Sequence, residues 1–170
     1  MIFLRTLRSA AATMLLLTLP LAAADLDTPT GPPLLTVSGA IDHTNDGATA
    51  VFDLAMLEAM ERRSFTTRTI WTNGEQHFTG VPLRHLMEAV GARGGHLRAI
   101  AINDYAVDIP REDWEADGPI VAYRNNGAPM SVRHKGPLWI VYPYDSDPGY
   151  QSERIYARSI WQLARIAVRE

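Results

Sequence analysis

The sequence predicts a single α+β domain, rich in short strands with a few short helices. Three observations carry this. Runs of β-branched and aromatic residues recur along the chain between turn-forming clusters. Every stretch with helical periodicity is short, such as "LAMLEAMERR" and "PLRHLMEAVGA". The 170 residues include no cysteine, so stability has to come from an ordinary packed core.

The first residues, "MIFLRTLRSAAATMLLLTLPLAAADLD", set Arg5 and Arg8 before an apolar run from Ala10 to Leu19, which Pro20 ends. Ala22, Ala23 and Ala24 provide the small residues a signal peptidase reads. The apolar run falls short of the roughly 20 residues of a membrane anchor. Residues 1–24 therefore read as a signal peptide, residues 25–33 ("DLDTPTGPP") as a flexible leader, and residues 34–170 as the domain, exported from the cytoplasm. Without residues 1–24 the net charge of −3 loses two arginines and no acid, becoming −5. No segment gathers positive charge, which argues against a nucleic-acid partner.

Along the domain, "LLTVSGAI" reads as a strand, and "DHTNDGATAVFD" as a polar turn and a second extended piece. Asp53 is placed to cap a helix over "LAMLEAMERR", with Leu54, Leu57 and Met60 on one face. "SFTTRTIWT" predicts a strand, and "NGEQHFTG" a turn followed by an edge segment. Pro82 opens a short helix that Gly91 closes. "LRAIAINDYAVDIP" is strand-like, and "PREDWEAD" gives about one helical turn. "PIVAYRNNGAPM" has the Asn-Asn-Gly signature of a hairpin. "GPLWIVYPYD" reads as a buried strand, and "YARSIWQLARIAV" starts irregularly and ends as one.

The five histidines (His43, His77, His85, His96, His134) form no H-x-x-H pair, and no serine sits in a G-x-S-x-G elbow, so zinc and serine-hydrolase chemistry find no support. Three polar, aromatic-laden stretches remain. They are "TIWTNGEQH" with Trp71; "INDYAVDIP" with Asn103, Asp104 and Tyr105; and "SVRHKGPLWIVYPYDSDPGYQSER" with Arg133, Lys135, Tyr144 and Asp145. Rings, amides, carboxylates and cations together suit a flat polar heterocycle, stacked on its faces and read along its edge. Each also has a plainer reading. Trp71 serves equally as a core aromatic, Asn103-Asp104 as a tight turn, and the charges as solvated loop residues.

The succession "FTGVPLRHLMEAVGA", "INDYAVDIP", "PIVAYRNNGAPMSVRHKGPLWIVYP" and "ARSIWQLARIAV" resembles the molybdopterin-binding domain of the sulfite oxidase superfamily, over roughly residues 34–168. That family has a "GVPL" segment opening a helix, an "NG" hairpin, a Gly-Pro strand and a closing "aR…kWL" pattern, which Arg158 matches. The resemblance implies a sulfite oxidase-like molybdopterin-binding fold. It also implies a cysteine ligand to molybdenum before "GVPL", where this chain has "TTRTIWTNG". A thiolate is a soft, strong ligand that Trp or Thr cannot replace, so the molybdenum cofactor is not expected here.

The chain looks instead like the small periplasmic pterin-binding proteins of that superfamily. This implies a reduced pterin ligand such as tetrahydromonapterin and, as partner, the periplasmic domain of a membrane-bound diguanylate cyclase/phosphodiesterase, with control of cyclic-di-GMP and biofilm formation. The expected pocket is Trp71 and Tyr105 stacking, Asp104 or Asp145 accepting from the ring edge, and Arg133, Lys135 and Arg158 donating, with Asn103 and Tyr144 beside them. The alternatives are a molybdopterin-dependent oxidoreductase, or a subunit of one, with a non-cysteine metal ligand, and a structural adaptor with a vestigial pocket.

Overall fold

A computed structural model describes residues 26–116 and 118–170. The signal peptide expected over residues 1–24 lies outside them. Two sheets make up the domain. The first orders its strands β2 (Ala50–Phe52), β1 (Leu35–Gly39), β11 (Leu163–Arg169), β5 (His96–Ala101) and β6 (Ala106–Pro110). The β1–β11 pair is parallel and its other pairs are antiparallel. The second orders β10 (Ile160–Trp161), β9 (Trp139–Val141), β7 (Ile120–Asn125), β4 (Glu75–Pro82) and β3 (Arg63–Arg68), with β8 (Ala128–Pro129) hairpinned onto β7. Short helices α1 (Leu54–Ala59), α2 (Leu83–Ala89), α3 (Arg111–Glu115) and α4 (Glu153–Ala157) fill the connections.

Period-2 alternation sets which face each strand buries. In β5, Leu97, Ala99 and Ala101 are buried while His96, Arg98 and Ile100 are less so, as a strand with one core-facing side requires. β7 begins with four consecutive buried residues, Ile120 to Tyr123, so both of its faces are covered. One buried cluster draws on both sheets: Leu35, Val37, Leu97 and Ile166 from the first, Phe78, Val121 and Ile140 from the second.

Asp53 caps α1 as expected, accepting from the Met56 amide at 2.8 Å. Its other oxygen accepts from the Thr30 and Gly31 amides at 2.8 and 2.7 Å. Asn45 donates to the Asp27 carbonyl at 2.6 Å, and Leu26 packs part-buried against the core. The described part of the leader expected over residues 25–33 thus meets the domain through Leu26, Asp27, Thr30 and Gly31. Proline and threonine in it read as a linker, and only the tertiary position of Asp53 supplies its acceptor.

Two strand expectations also change. The strand expected through Thr72 stops at Arg68, and the chain turns over residues 69–74. The segment expected at a sheet edge, β4, is interior, flanked by β3 and β7. Its ladder slips between Thr79 and Gly80, where a Cβ on Gly80 would stand 2.1 Å from the Val121 carbonyl oxygen. Glycine permits that close approach. Gly91 follows α2 with φ 61°, the left-handed stop predicted from its position.

Candidate functional site

The turn after β3 carries Trp71 into a box of rings. Its centroid lies 5.5 Å from Trp161, 5.9 Å from Tyr156, 6.0 Å from Trp139 and 6.2 Å from Tyr144, mostly in edge-to-face arrangements. Such pairs hold one another by ring quadrupoles as well as by burial. The lower part of the box is core. Tyr144 is 1% exposed and its hydroxyl lies 2.5 Å from Ser159 Oγ, which donates on to the Ile155 carbonyl at 3.2 Å. Burial raises the Tyr144 pKa well above the ordinary phenol value, and the Ser159 hydrogen bond offsets part of that rise.

The upper part of the box opens into a cavity of about 520 Å³. Ligand sites span roughly 300–1,000 Å³. One wall is Ile70 and Trp71, a second is the β5–β6 turn with Asn103 and Tyr105, and the third runs from Tyr156 at the end of α4 through Ser159 and Trp161 to Gln162. The cavity therefore sits at the seam where β10, an end strand of the second sheet, meets the β5–β6 end of the first. Gln162 is the single residue between β10 and β11, where the chain passes from one sheet to the other, and its φ is 53°.

Of the residues expected to form a pocket, Trp71, Asn103 and Tyr105 line this cavity. Lys135 stands beside it, with Nζ 4.5 Å from the Trp161 centroid and 5.9 Å from that of Trp139. Asp104 belongs to the same β5–β6 turn at φ 65°, and its carboxylate pairs with Arg165 at 2.5 Å. Arg133 is exposed in the 3₁₀ turn Val132–His134. Asp145 accepts from the Arg68 amide at 2.7 Å, and its own amide donates to Thr67 Oγ1 at 3.0 Å, fastening its loop to β3. Arg158 donates to both oxygens of Asp113 at 2.8 and 2.9 Å, and Tyr142 donates to the same carboxylate at 2.8 Å. Asp104, Arg133, Lys135, Tyr144, Asp145 and Arg158 are not among the lining residues, so the geometry does not gather the nine into one pocket.

The lining residues that sequence reasoning did not single out are chiefly in "YARSIWQ": Tyr156, Ser159, Trp161 and Gln162. The resemblance pointed at Arg158 in that segment, whose neighbours turn out to face the cavity. The signal was the pair of aromatics at 156 and 161 around a serine, in a segment read as an irregular lead-in.

Chemically, the cavity offers aromatic faces with amide and hydroxyl edges. None of its described lining residues carries a charge. Against molybdopterin this donor set fits in one part only. Flat organic rings match the walls, whereas the thiolate that would hold molybdenum has no source, since the sequence contains no cysteine. Among the described residues no group of three or more His, Asp or Glu stands ready to hold a metal, and no helix is long and apolar enough to cross a membrane.

Comparison with known proteins agrees with this fold. The sulfane dehydrogenase SoxCD from Paracoccus pantotrophus superposes with a TM-score of 0.60 at 19% sequence identity, over 79% of this chain and 37% of that one. The chain therefore spans little more than a third of that protein, and the likeness is one of fold. No curated protein matches the sequence. The profile of the oxidoreductase molybdopterin binding domain matches residues 49–151, more than half of the chain. The chain belongs to that family and has its sulfite oxidase-like molybdopterin-binding fold.

Proposed function

We propose that this chain is an exported, non-catalytic pterin-binding protein that relays ligand occupancy to a membrane-bound signalling enzyme. The observation that carries the reading is the Trp71–Trp161–Tyr156 box opening into a cavity with no charged lining residue, in a molybdopterin-binding fold whose sequence supplies no thiolate. The aromatic walls would stack a reduced pterin such as tetrahydromonapterin. The relay is supported by the apolar groups around the mouth. Ile70 and Tyr105 are 63% and 57% exposed, and Ile102 and Val132, which bond to Gln162, are 50% and 52% exposed. Apolar residues gathered around a ligand mouth are where a protein partner would sense its contents. The partner in this reading is the periplasmic domain of a diguanylate cyclase/phosphodiesterase, through which occupancy would set cyclic-di-GMP levels and biofilm formation.

Titration with tetrahydropterins, followed by tryptophan fluorescence, tests the binding. Trp71 and Trp161 line the cavity and report directly, and saturation at micromolar ligand is expected. A flat titration against every pterin overturns the proposal. Family membership itself favours a second reading, a molybdopterin oxidoreductase with a non-cysteine metal ligand. Stoichiometric molybdenum in protein purified from its native host would establish that reading in place of the first.

A further inference from the structure

We infer that Gln162, with Ser159, is the specificity-determining edge of the cavity, and that it selects an uncharged heterocycle presenting N–H donors. This rests on the pterin reading above and specifies how the ring would be read.

The inference comes from counting hydrogen-bonding capacity. Gln162 lines the cavity, and its Nε2 donates to the Val132 carbonyl at 2.8 Å. A carbonyl can only accept, so that contact fixes the amide orientation and leaves Oε1 with no partner among the described residues. Ser159 Oγ lies 3.2 Å from the Ile155 carbonyl and 2.5 Å from the Tyr144 hydroxyl, and when it donates to the carbonyl it accepts from Tyr144. One lone pair of Ser159 Oγ is then left. The other side-chain amide of the lining, Asn103, already spends Oδ1 on the Tyr105 amide at 3.2 Å. Gln162 Oε1 is therefore an oriented, neutral acceptor with no partner among the described residues, beside the second Nε2–H of Gln162 and the Trp161 indole N–H.

The backbone holds this edge in place. Gln162 sits in the left-handed region at φ 53°, its amide donates to the Lys135 carbonyl at 3.1 Å, and its carbonyl accepts from the Ile102 amide at 2.9 Å. A non-glycine residue kept there by bonds to two other loops is the kind of constrained position that recurs at ligand sites. The amino group of a pterin presents a donor to Gln162 Oε1, whereas a lumazine, with a carbonyl in its place, sets an acceptor against it.

Isothermal titration of the full chain with a tetrahydropterin and the matching tetrahydrolumazine tests the assignment. The wild type is expected to favour the pterin by about tenfold or more, the worth of one neutral hydrogen bond plus the cost of an opposed acceptor pair. Gln162→Gly suits φ 53° while removing the side chain, and should bring the ratio close to one. Gln162→Glu keeps acceptor oxygens and should retain or raise the preference, whether or not the glycine variant folds. A purely structural role predicts equal weakening for both ligands, and an unchanged ratio in Gln162→Gly, or a ratio lost in Gln162→Glu, overturns the inference. Failure of the wild type to bind either compound strikes the pterin reading instead, so the two failures are distinct.

Discussion

Replacing Asp113 by Ala asks what holds the α4 wall of the cavity in place. Asp113, on α3, receives Arg158 Nη1 at 2.8 and 2.9 Å and the Tyr142 hydroxyl at 2.8 Å. The Asp113 and Arg158 side chains are 12% and 22% exposed, and Tyr142 is fully buried. Hydrogen bonds to a charged group contribute about 1.5–3 kcal/mol each, and stripping one partner from a buried pair costs about 3–5 kcal/mol. Arg158 keeps some access to water, which lowers the cost of leaving it alone, so about 3 kcal/mol is expected. For a domain of this size each kcal/mol moves Tm by about 2–4 °C, giving a fall of about 6–12 °C. Urea midpoints followed by circular dichroism, with calorimetry for Tm, measure it. Asp113→Asn, which still accepts from Tyr142 but carries no charge, should fall between wild type and Asp113→Ala. Adding Arg158→Met to Asp113→Ala should cost little more, because the pair is already broken. A loss under about 1 kcal/mol for Asp113→Ala would refute the claim that this carboxylate joins α3 to the end of α4.

Three further outcomes follow from the same geometry. The Asp53 carboxyl is held below its ordinary pKa by the Met56, Gly31 and Thr30 amides, so its contribution is present above the unfolded value and lost as pH falls through the folded one. Asp53→Asn should flatten the acid limb of Tm against pH and speed hydrogen exchange at Thr30 and Gly31. Burial raises Tyr142 and Tyr144 above the phenol value of about 10, so the folded state keeps protons the unfolded state releases. Stability should hold below about pH 10 and decline above it, and Tyr142→Phe should reduce that decline. Gly80→Ala should lose about 3 kcal/mol or more in urea melts, since its Cβ would stand 2.1 Å from the Val121 carbonyl oxygen.

Local chemistry made much of the fold legible. The Asp53 cap, the Gly91 stop and the Asn126-Gly127 hairpin, with φ 51° and 79°, are decided by a few neighbouring atoms and stand where the residues put them. Strand placement along the sheet is not local. β4 looked like an edge because Gly80 and its turn lack apolar bulk, yet it is interior because β3 and β7 both pair with it. The site divided in the same way. Trp71, Asn103 and Tyr105 could be picked as aromatics and amides in polar stretches. Arg158 was pointed to by the closing pattern of the resemblance and Asp145 by its charge, but their partners, Asp113 and the β3 backbone, lie 45 and 77 residues away and could not be read from spacing. Gln162 carries no signal at all until the crossover gives it one.

That crossover explains why a cavity exists where it does. β10 is two residues long, and β11 begins one residue later in the other sheet. A chain leaving one sheet for another within a single residue cannot fill the seam with its own backbone. The rings of Trp71, Tyr156 and Trp161 wall part of the seam and leave the cavity between them. A ligand seated in the remainder would touch the turn after β3, the β5–β6 turn and the end of α4 at once. Through Gln162 it would bear on Val132 and Ile102, two of the exposed apolar residues. Binding energy spent on Gln162 would therefore order groups on the outer surface, which is the physical requirement for occupancy to be read from outside. Hydrogen exchange should show it: the Ile102 and Gln162 amides should gain protection when a pterin is added to wild type, and should not in Gln162→Gly at the same fractional saturation.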